Sequence, residues 1–110
     1  MDEILESPLA EAMNRLWVKY LPQMEERAGS LRKAAESAIN GNLTAIEQQR
    51  ASSDAHKLAG VLGTFGMNEG TELAREAESL CSDSIGEDPL ITARLAAIAE
   101  QLRAMIANRR

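Results

Sequence analysis

The sequence predicts an all-α protein, an antiparallel up-and-down four-helix bundle with an additional N-terminal helix. Apolar residues recur at steps of three and four along five segments, and no segment shows the alternation typical of a strand. Residues that favour helix starts and helix ends separate these segments by short connections. We therefore expect one domain with helices at about 8–20, 22–39, 43–65, 68–83 and 89–108.

The first two helices are separated by a proline. Ser7 followed by Pro8 is typical of a helix start, because Ser caps and Pro suits the first helical position. Pro22 then lacks a backbone donor and clashes with the preceding turn, so we expect a break or kink there, with a second helix from about Leu21 or Pro22. The segment before Pro22 is predicted to pack on a four-helix core as a lid or extension. The next helix ends at Asn40 and Gly41, which form a good C-terminal cap.

The remaining boundaries also carry capping residues. Asn42 and Thr44 are the two candidates for the cap of the third helix, and Thr44 with Glu47 fits a capping box. The later boundary residues are Gly66 at the end of the third helix, Asn68 as the cap of the fourth, and Asp88 with Pro89 at the start of the last.

Composition restricts the function. A chain of 110 residues with 45% hydrophobic content suits one domain with one modest core. No stretch approaches the roughly 20 apolar residues of a membrane span, and the acidic start lacks the features of a secretory signal. The single Cys81 cannot form an internal disulfide, so we expect a cytoplasmic protein. The net charge of −5, with scattered cations, argues against nucleic-acid binding.

The only histidine, His56, lies away from the apolar stripe of its helix. On a helix that advances about 100° per residue, the stripe consists of Ala55, Leu58, Ala59, Leu62 and Phe65. The residues that flank His56 on its own face include no bulky apolar residue and no charge: Gln49, Ser52, Ser53, Gly60 and Gly63. Each mid-helix glycine costs about 1 kcal/mol relative to alanine. We therefore infer that something outside the chain approaches His56.

The residues around His56 also resemble those of a known family. The run His56-Lys57-Leu58-Ala59-Gly60, with Gly66 ten residues after the histidine, is similar to the phosphoacceptor helix of histidine phosphotransfer (HPt) domains of bacterial two-component phosphorelays. The family pattern is roughly His-x-Leu-Lys-Gly, followed by a helix-ending Gly. This resemblance implies that His56 carries a phosphoryl group between receiver-domain aspartates. One position differs, because the family usually has Lys where this chain has Ala59.

The resemblance also implies partners. These are response-regulator receiver domains, with a hybrid histidine kinase as a further candidate; Mg²⁺ is expected on the receiver and no cofactor on this chain. Lys57 is the nearest cation, but it points about 100° around the helix from His56. It either supports the phosphate or is an ordinary surface lysine.

The other candidates on this face have open alternatives. Gly60 and Gly63 either clear space for the partner or admit a neighbouring helix. Gln49, Ser52 and Ser53 rim a docking patch, hydrogen-bond the phosphoryl group, or are ordinary solvated residues.

An autonomous enzyme is not expected. The sequence has no Gly-rich phosphate loop and no second His or Cys to complete a metal site or a nucleophilic triad. Such a chain cannot hydrolyse ATP or phosphorylate itself, but it can act as a phosphotransfer intermediate. The rival interpretation is a non-catalytic helical docking or dimerisation module of a signalling protein, in which His56 is incidental.

Overall fold

The structure is a computed structural model that describes residues 7–82 and 88–109. These residues form four α-helices and no strand: α1 Pro8–Ile39, α2 Ala45–Thr64, α3 Asn68–Ser82 and α4 Pro89–Asn108. Helices α1 and α3 each pack on both α2 and α4, and consecutive helices run antiparallel. The predicted all-α bundle is confirmed. Position 83, which we had included in the fourth predicted helix, lies outside the described residues.

The structure corrects the prediction of a separate N-terminal helix, because α1 continues without a break through Pro22. A proline removes one backbone N–H, which here leaves the carbonyl of Val18 without its usual partner. Both Pro22 and Val18 are exposed, so that carbonyl lies on the solvent side of the helix. Trp17 and Met24, on either side of the proline, are both buried in the core. Burial of both halves against the same core stabilises one continuous helix.

Side-chain caps fix three of the helix starts. Ser7 Oγ accepts a hydrogen bond from the Ala10 amide at 3.1 Å, and Thr44 Oγ1 accepts one from the Glu47 amide at 3.1 Å. Thr44, rather than Asn42, is therefore the cap of α2. Asp88 caps α4 in the same way, with Oδ1 2.9 Å from the Leu90 amide.

Two glycines end α1 and α2. Gly41 and Gly66 have φ angles of +74° and +72°, in the left-handed region that favours glycine. After Gly66 the chain turns directly into α3, and the Met67 carbonyl accepts the Thr71 amide at 3.0 Å. Asn68 is consequently the first residue of α3, and the prediction that it caps this helix is wrong.

The core is made mainly of small aliphatic side chains. Alanines contribute about half of its buried hydrophobic residues, which allows the helices to approach closely, and the largest fully buried side chains include Met24, Leu31, Leu58, Leu62, Leu95, Ile98, Leu102 and Ile106. The predicted stripe of α2 faces this core, with Phe65 half-buried at its end. None of the described helices is long and apolar enough to cross a membrane.

An aromatic cluster fixes one end of the bundle. The rings of Trp17 on α1 and Phe65 after α2 meet edge to face, with centroids 5.1 Å apart. The guanidinium of Arg109 lies 4.5 Å from the centroid of the Trp17 ring. This cluster holds the two helices of the α1–α2 pair in register and ties the end of α4 to them.

Replacing Pro22 tests the continuous helix. Because Pro22→Ala restores an N–H opposite the Val18 carbonyl, we expect the free energy of unfolding to rise by about 1–2 kcal/mol. Pro8→Ala is the matched control, since Pro8 occupies the first helical position, where no backbone hydrogen bond is lost, and the Ser7 cap stays intact. Urea denaturation of both variants measures the difference. A Pro22→Ala variant that is no more stable than Pro8→Ala would contradict a helix that is continuous at this point.

Candidate functional site

His56 lies in the middle of α2 with its side chain exposed. The imidazole retains 75% of its accessible surface, whereas the adjacent Ala55 and Leu58 are fully buried. The backbone that carries His56 is therefore held by the core, and the ring itself projects into solvent. This combination gives a rigidly placed side chain that another macromolecule can reach.

One side chain from another helix contacts the ring. Nδ1 of His56 lies 3.1 Å from Oε2 and 3.3 Å from Oε1 of Glu78 on α3. An ionised carboxylate only accepts hydrogen bonds, so this contact requires the proton on Nδ1. In the neutral ring the lone pair is then on Nε2, which makes no hydrogen bond to any residue that the structure describes. The contact with Glu78 thus leaves the lone pair of the neutral ring on the nitrogen that faces outward.

Two further contacts fix α3 beside α2. Thr71 Oγ1 donates a hydrogen bond to the Ala59 carbonyl at 3.1 Å, and Gln48 Nε2 donates one to the Cys81 carbonyl at 2.6 Å. Along the seam between the helices, these contacts lie on either side of the contact between His56 and Glu78. They leave α3 little freedom to slide, and so they hold the carboxylate at the imidazole.

Sequence reasoning missed Glu78. On a helical wheel of α3, Glu78 lies among the acids that face solvent. Only the register of α3 against α2 brings Glu78 to His56. The neighbouring acid Glu76 turns the other way and accepts two hydrogen bonds from Arg94 on α4, at 2.6 Å and 2.8 Å. The hydrogen bond from Arg94 lowers the pKa of Glu76. Of these two acids on α3, Glu78 therefore contacts α2 and Glu76 contacts α4.

The two glycines near His56 differ. A β-carbon added at Gly60 would have no neighbouring atom within 4 Å, so this position faces open space. A β-carbon at Gly63 would meet Thr71 Oγ1 at 3.4 Å, which is ordinary contact with α3. The open face that we expected from the sequence therefore lies at Gly60, and Gly63 also accommodates the neighbouring helix.

The polar candidates lie towards the other end of the same face. Gln49 and Ser52 line a shallow cavity of about 460 Å³ that also includes Cys81 and Ser82. Ser53 is exposed, and Ser52 is half-buried. None of the three candidates forms a side-chain hydrogen bond with a described residue. Their roles remain predictions.

Lys57 lies on the opposite side of His56 from Glu78. It makes no hydrogen bond with His56, and it lines a groove between α1 and α2 of about 490 Å³ that also contains Arg27. Ala59, where the family usually has lysine, is 6% exposed and belongs to the core. Lys57 and Arg27 are therefore two cations on this side of His56. Sequence reasoning did not identify Arg27, because its position depends on how α1 lies against α2.

Cys81 does not add a second nucleophile. It is 1% exposed, and burial raises the pKa of its thiol to about 11. The thiol is therefore protonated at neutral pH, as expected for a small core residue. No cluster of three or more His, Cys, Asp or Glu within residues 7–82 and 88–109 is placed to hold a metal ion.

Comparisons with known proteins identify the family of this chain. The model of the Hpt domain family matches residues 15–110, which include all of α2, α3 and α4 and most of α1. Protein RcaC of Microchaete diplosiphon is 35% identical over 66 residues, a stretch that covers 60% of this chain and 10% of RcaC. No solved structure gives a significant match. Because the family match covers nearly the whole bundle and includes the exposed histidine of α2, the chain belongs to the Hpt domain family, the phosphotransfer domains of phosphorelays.

Proposed function

We propose that His56 accepts a phosphoryl group from the aspartate of one receiver domain and passes it to the aspartate of another. The observation that carries this proposal is the exposed imidazole whose Nδ1 lies 3.1 Å from the Glu78 carboxylate. A ring held in this way presents Nε2 to an incoming partner. Membership of the Hpt family supports the phosphotransfer role in general.

The forward step is an exchange of one bond for another. The lone pair of His56 Nε2 attacks the phosphorus of the acyl phosphate on the receiver. The N–P bond forms while the bond between phosphorus and the aspartate oxygen breaks, and the aspartate leaves as a carboxylate. The same step in reverse, on a second receiver, returns the group to a carboxylate and frees the imidazole.

Glu78 stabilises the histidine during that step. As Nε2 gives its lone pair to phosphorus, the ring gains positive charge, since Nδ1 keeps its proton. The Glu78 carboxylate faces that proton at 3.1 Å and stabilises the charge without taking the proton away. Glu78 is a positioning residue, because it acts through the imidazole and not on the phosphoryl group.

The remaining chemistry belongs to the partner. Phosphoryl transfer depends mainly on positioning and on electrostatic stabilisation of the transferred group. We expect the receiver to supply that stabilisation through its own bound Mg²⁺, and this chain to supply the rigid, exposed nucleophile. We accordingly expect this chain to exchange phosphoryl groups with receivers, or with a hybrid histidine kinase, in the cytoplasm.

A second candidate function is a non-catalytic docking or dimerisation module. One observation favours it: the position three residues after the histidine, where the family usually has lysine, is Ala59, and this alanine is buried in the core. The two functions differ in what His56 contributes. A docking module binds its partner equally well without the imidazole and never carries phosphate.

Replacing His56 tests the transfer directly. Wild type mixed with a radiolabelled phospho-receiver should take up label that is labile in acid and stable in base. His56→Gln should take up none, because the nucleophilic nitrogen is lost. Arg50→Gln, an exposed change on the same helix, is the matched control and should behave as wild type. Equal labelling of wild type and His56→Gln, or no labelling of wild type by any receiver, contradicts the proposal.

Removing Glu78 tests the positioning role. In wild type, long-range ¹H–¹⁵N spectra above pH 8 should show the neutral imidazole of His56 mainly with its proton on Nδ1. Glu78→Ala should shift the population towards the tautomer protonated on Nε2 and slow phosphoryl uptake by about tenfold or more. Glu72→Ala, which removes an exposed acid from the same helix, should change neither. An unchanged tautomer ratio in Glu78→Ala would remove Glu78 from the mechanism.

The open space at Gly60 gives a further test. Gly60→Ala should raise the free energy of unfolding by about 0.5–1 kcal/mol, because alanine favours the helix and meets no neighbour. Gly60→Phe should retain the helical circular dichroism signal and block the approach of a receiver. Label transfer from a phospho-receiver should therefore fall strongly in Gly60→Phe and stay near wild type in Gly60→Ala. Equal transfer by both variants would mean that partners do not cover this position.

A further inference from the structure

The ring of His56 leans towards the N-terminal end of α2. In an α-helix the Cα–Cβ bond tilts towards the N-terminus, so a long side chain lies over the turn that precedes its own Cα. For His56 that turn carries two serines, Ser52 and Ser53, which stand four and three residues before it. A group bound to Nε2 therefore comes close to the hydroxyls of this turn.

The register of α3 draws the ring in the same direction. Thr71 of α3 donates a hydrogen bond to the Ala59 carbonyl and would meet a β-carbon added at Gly63, so Thr71 is level with a point midway between the two residues. Seven residues further along the antiparallel α3, Glu78 is level with a point about two residues before His56. The contact of Glu78 with Nδ1 thus holds the ring over the preceding turn.

The two serines lie on different sides of the ring. At about 100° per residue, Ser52 is rotated by about 40° from His56 towards Ala59, the residue whose carbonyl binds α3. Ser53 is rotated by about 60° the other way, towards α1. Because Glu78 holds the ring on the α3 side, Ser52 is the serine that the ring approaches. Ser52 is half-buried beside α3, whereas Ser53 is exposed.

The hydroxyl of Ser52 is available to donate a hydrogen bond. Its side chain forms no hydrogen bond with the residues that the structure describes. Three other hydroxyls along α2 and α3 each donate to a backbone carbonyl: Thr64 to Gly60, Thr71 to Ala59 and Ser82 to Glu78. A serine in a helix can bond to the carbonyl four residues earlier in this way, but Ser52 does not. Its proton is therefore free for a group on the ring.

Space for an anion adjoins Ser52. The cavity of about 460 Å³ between the first half of α2 and the end of α3 has no carboxylate in its lining, which consists of Ala45, Gln48, Gln49, Ser52, Cys81 and Ser82. Ser52 is the lining residue closest to His56 in the chain. The side chain of Gln49 starts a further turn away and leans away from the ring, so Ser52 is the donor in reach.

We propose that the Ser52 hydroxyl donates a hydrogen bond to the phosphoryl group on Nε2 of His56 and so stabilises the phosphohistidine. This inference rests on the proposed function. The hydrogen bond forms only in the phosphorylated protein, and Ser52 makes and breaks no bond to phosphorus. Ser52 is thus a phosphoryl-binding residue, while Glu78 acts on the opposite nitrogen of the ring.

A donor at Ser52 also suits a chain without a lysine at Ala59. On the other side of His56, the next two positions of its face are Gly60 and Gly63, which have no side-chain donor. The hydroxyl therefore supplies from the preceding turn what these positions cannot. A neutral hydroxyl is a weaker donor to an anion than an ammonium group. We expect it to stabilise the phosphohistidine and still allow onward transfer.

Removing this hydroxyl tests the inference through the equilibrium of transfer. Each variant is mixed with the purified phospho-receiver, from a panel, that transfers label fastest to wild type. At equilibrium, Ser52→Ala should lower the ratio of label on His56 to label on the receiver by about threefold or more, because only the phosphorylated state loses a hydrogen bond. Ser53→Ala, the matched control, and Ser52→Thr, which keeps the hydroxyl, should stay within about twofold of wild type.

A second readout needs no receiver. Phosphoramidate, a small phosphoryl donor, is used to phosphorylate wild type and the two alanine variants, and ³¹P spectra of phosphorylated His56 are compared. The resonance should shift in Ser52→Ala and keep its position in Ser53→Ala. Before phosphorylation, both variants should keep the wild-type circular dichroism spectrum and the wild-type tautomer ratio of His56.

The outcomes separate this inference from the proposed function. An unchanged label ratio or an unchanged ³¹P resonance in Ser52→Ala overturns the hydrogen bond and leaves the proposed function intact. An equal effect of Ser53→Ala also overturns it, and so does a changed tautomer ratio in unphosphorylated Ser52→Ala, since the serine would then act through the ring. Wild type that accepts label from no receiver overturns the proposed function, and the ³¹P comparison then decides the hydrogen bond.

Discussion

The contact between His56 Nδ1 and the Glu78 carboxylate is the interaction on which the site depends. It favours the tautomer with the proton on Nδ1, which in the neutral ring leaves the lone pair on Nε2. Other contacts in the bundle hold the two helices that carry these side chains. Ala55 and Leu58 anchor α2 in the core, and the hydrogen bonds from Thr71 and Gln48 prevent α3 from sliding along α2.

Local sequence signals predicted the helices well, but they did not predict how the helices pack on one another. Periodicity and the caps at Ser7, Thr44 and Gly66 predicted an all-α bundle, because each signal acts within a few residues. The prediction of a separate helix before Pro22 was wrong. A proline weakens a helix locally, but burial of residues on both sides of Pro22 maintains this one. Tertiary packing thus overrides a local breaker when the unpaired carbonyl faces solvent.

The candidate site was predictable in part for the same reason. The exposure of His56 and the open space at Gly60 can be predicted from the helical wheel of α2 alone, and the structure places both on an exposed face. Glu78 and Arg27 come from the two helices that flank α2, and no pattern within one helix specifies the register between helices. The imidazole therefore has an acid on one side and a cationic groove on the other, a division that only the assembled bundle creates.

The central claim is that the ring is held with Nδ1 protonated and Nε2 outward. The most direct measurement is the identity of the phosphorylated nitrogen, read from ³¹P and long-range ¹H–¹⁵N spectra of the protein after treatment with phosphoramidate. We expect a single adduct on Nε2 of His56, with the proton retained on Nδ1. A phosphoryl group on Nδ1 would contradict this claim. So would a His56 that stays unphosphorylated under conditions that phosphorylate free imidazole.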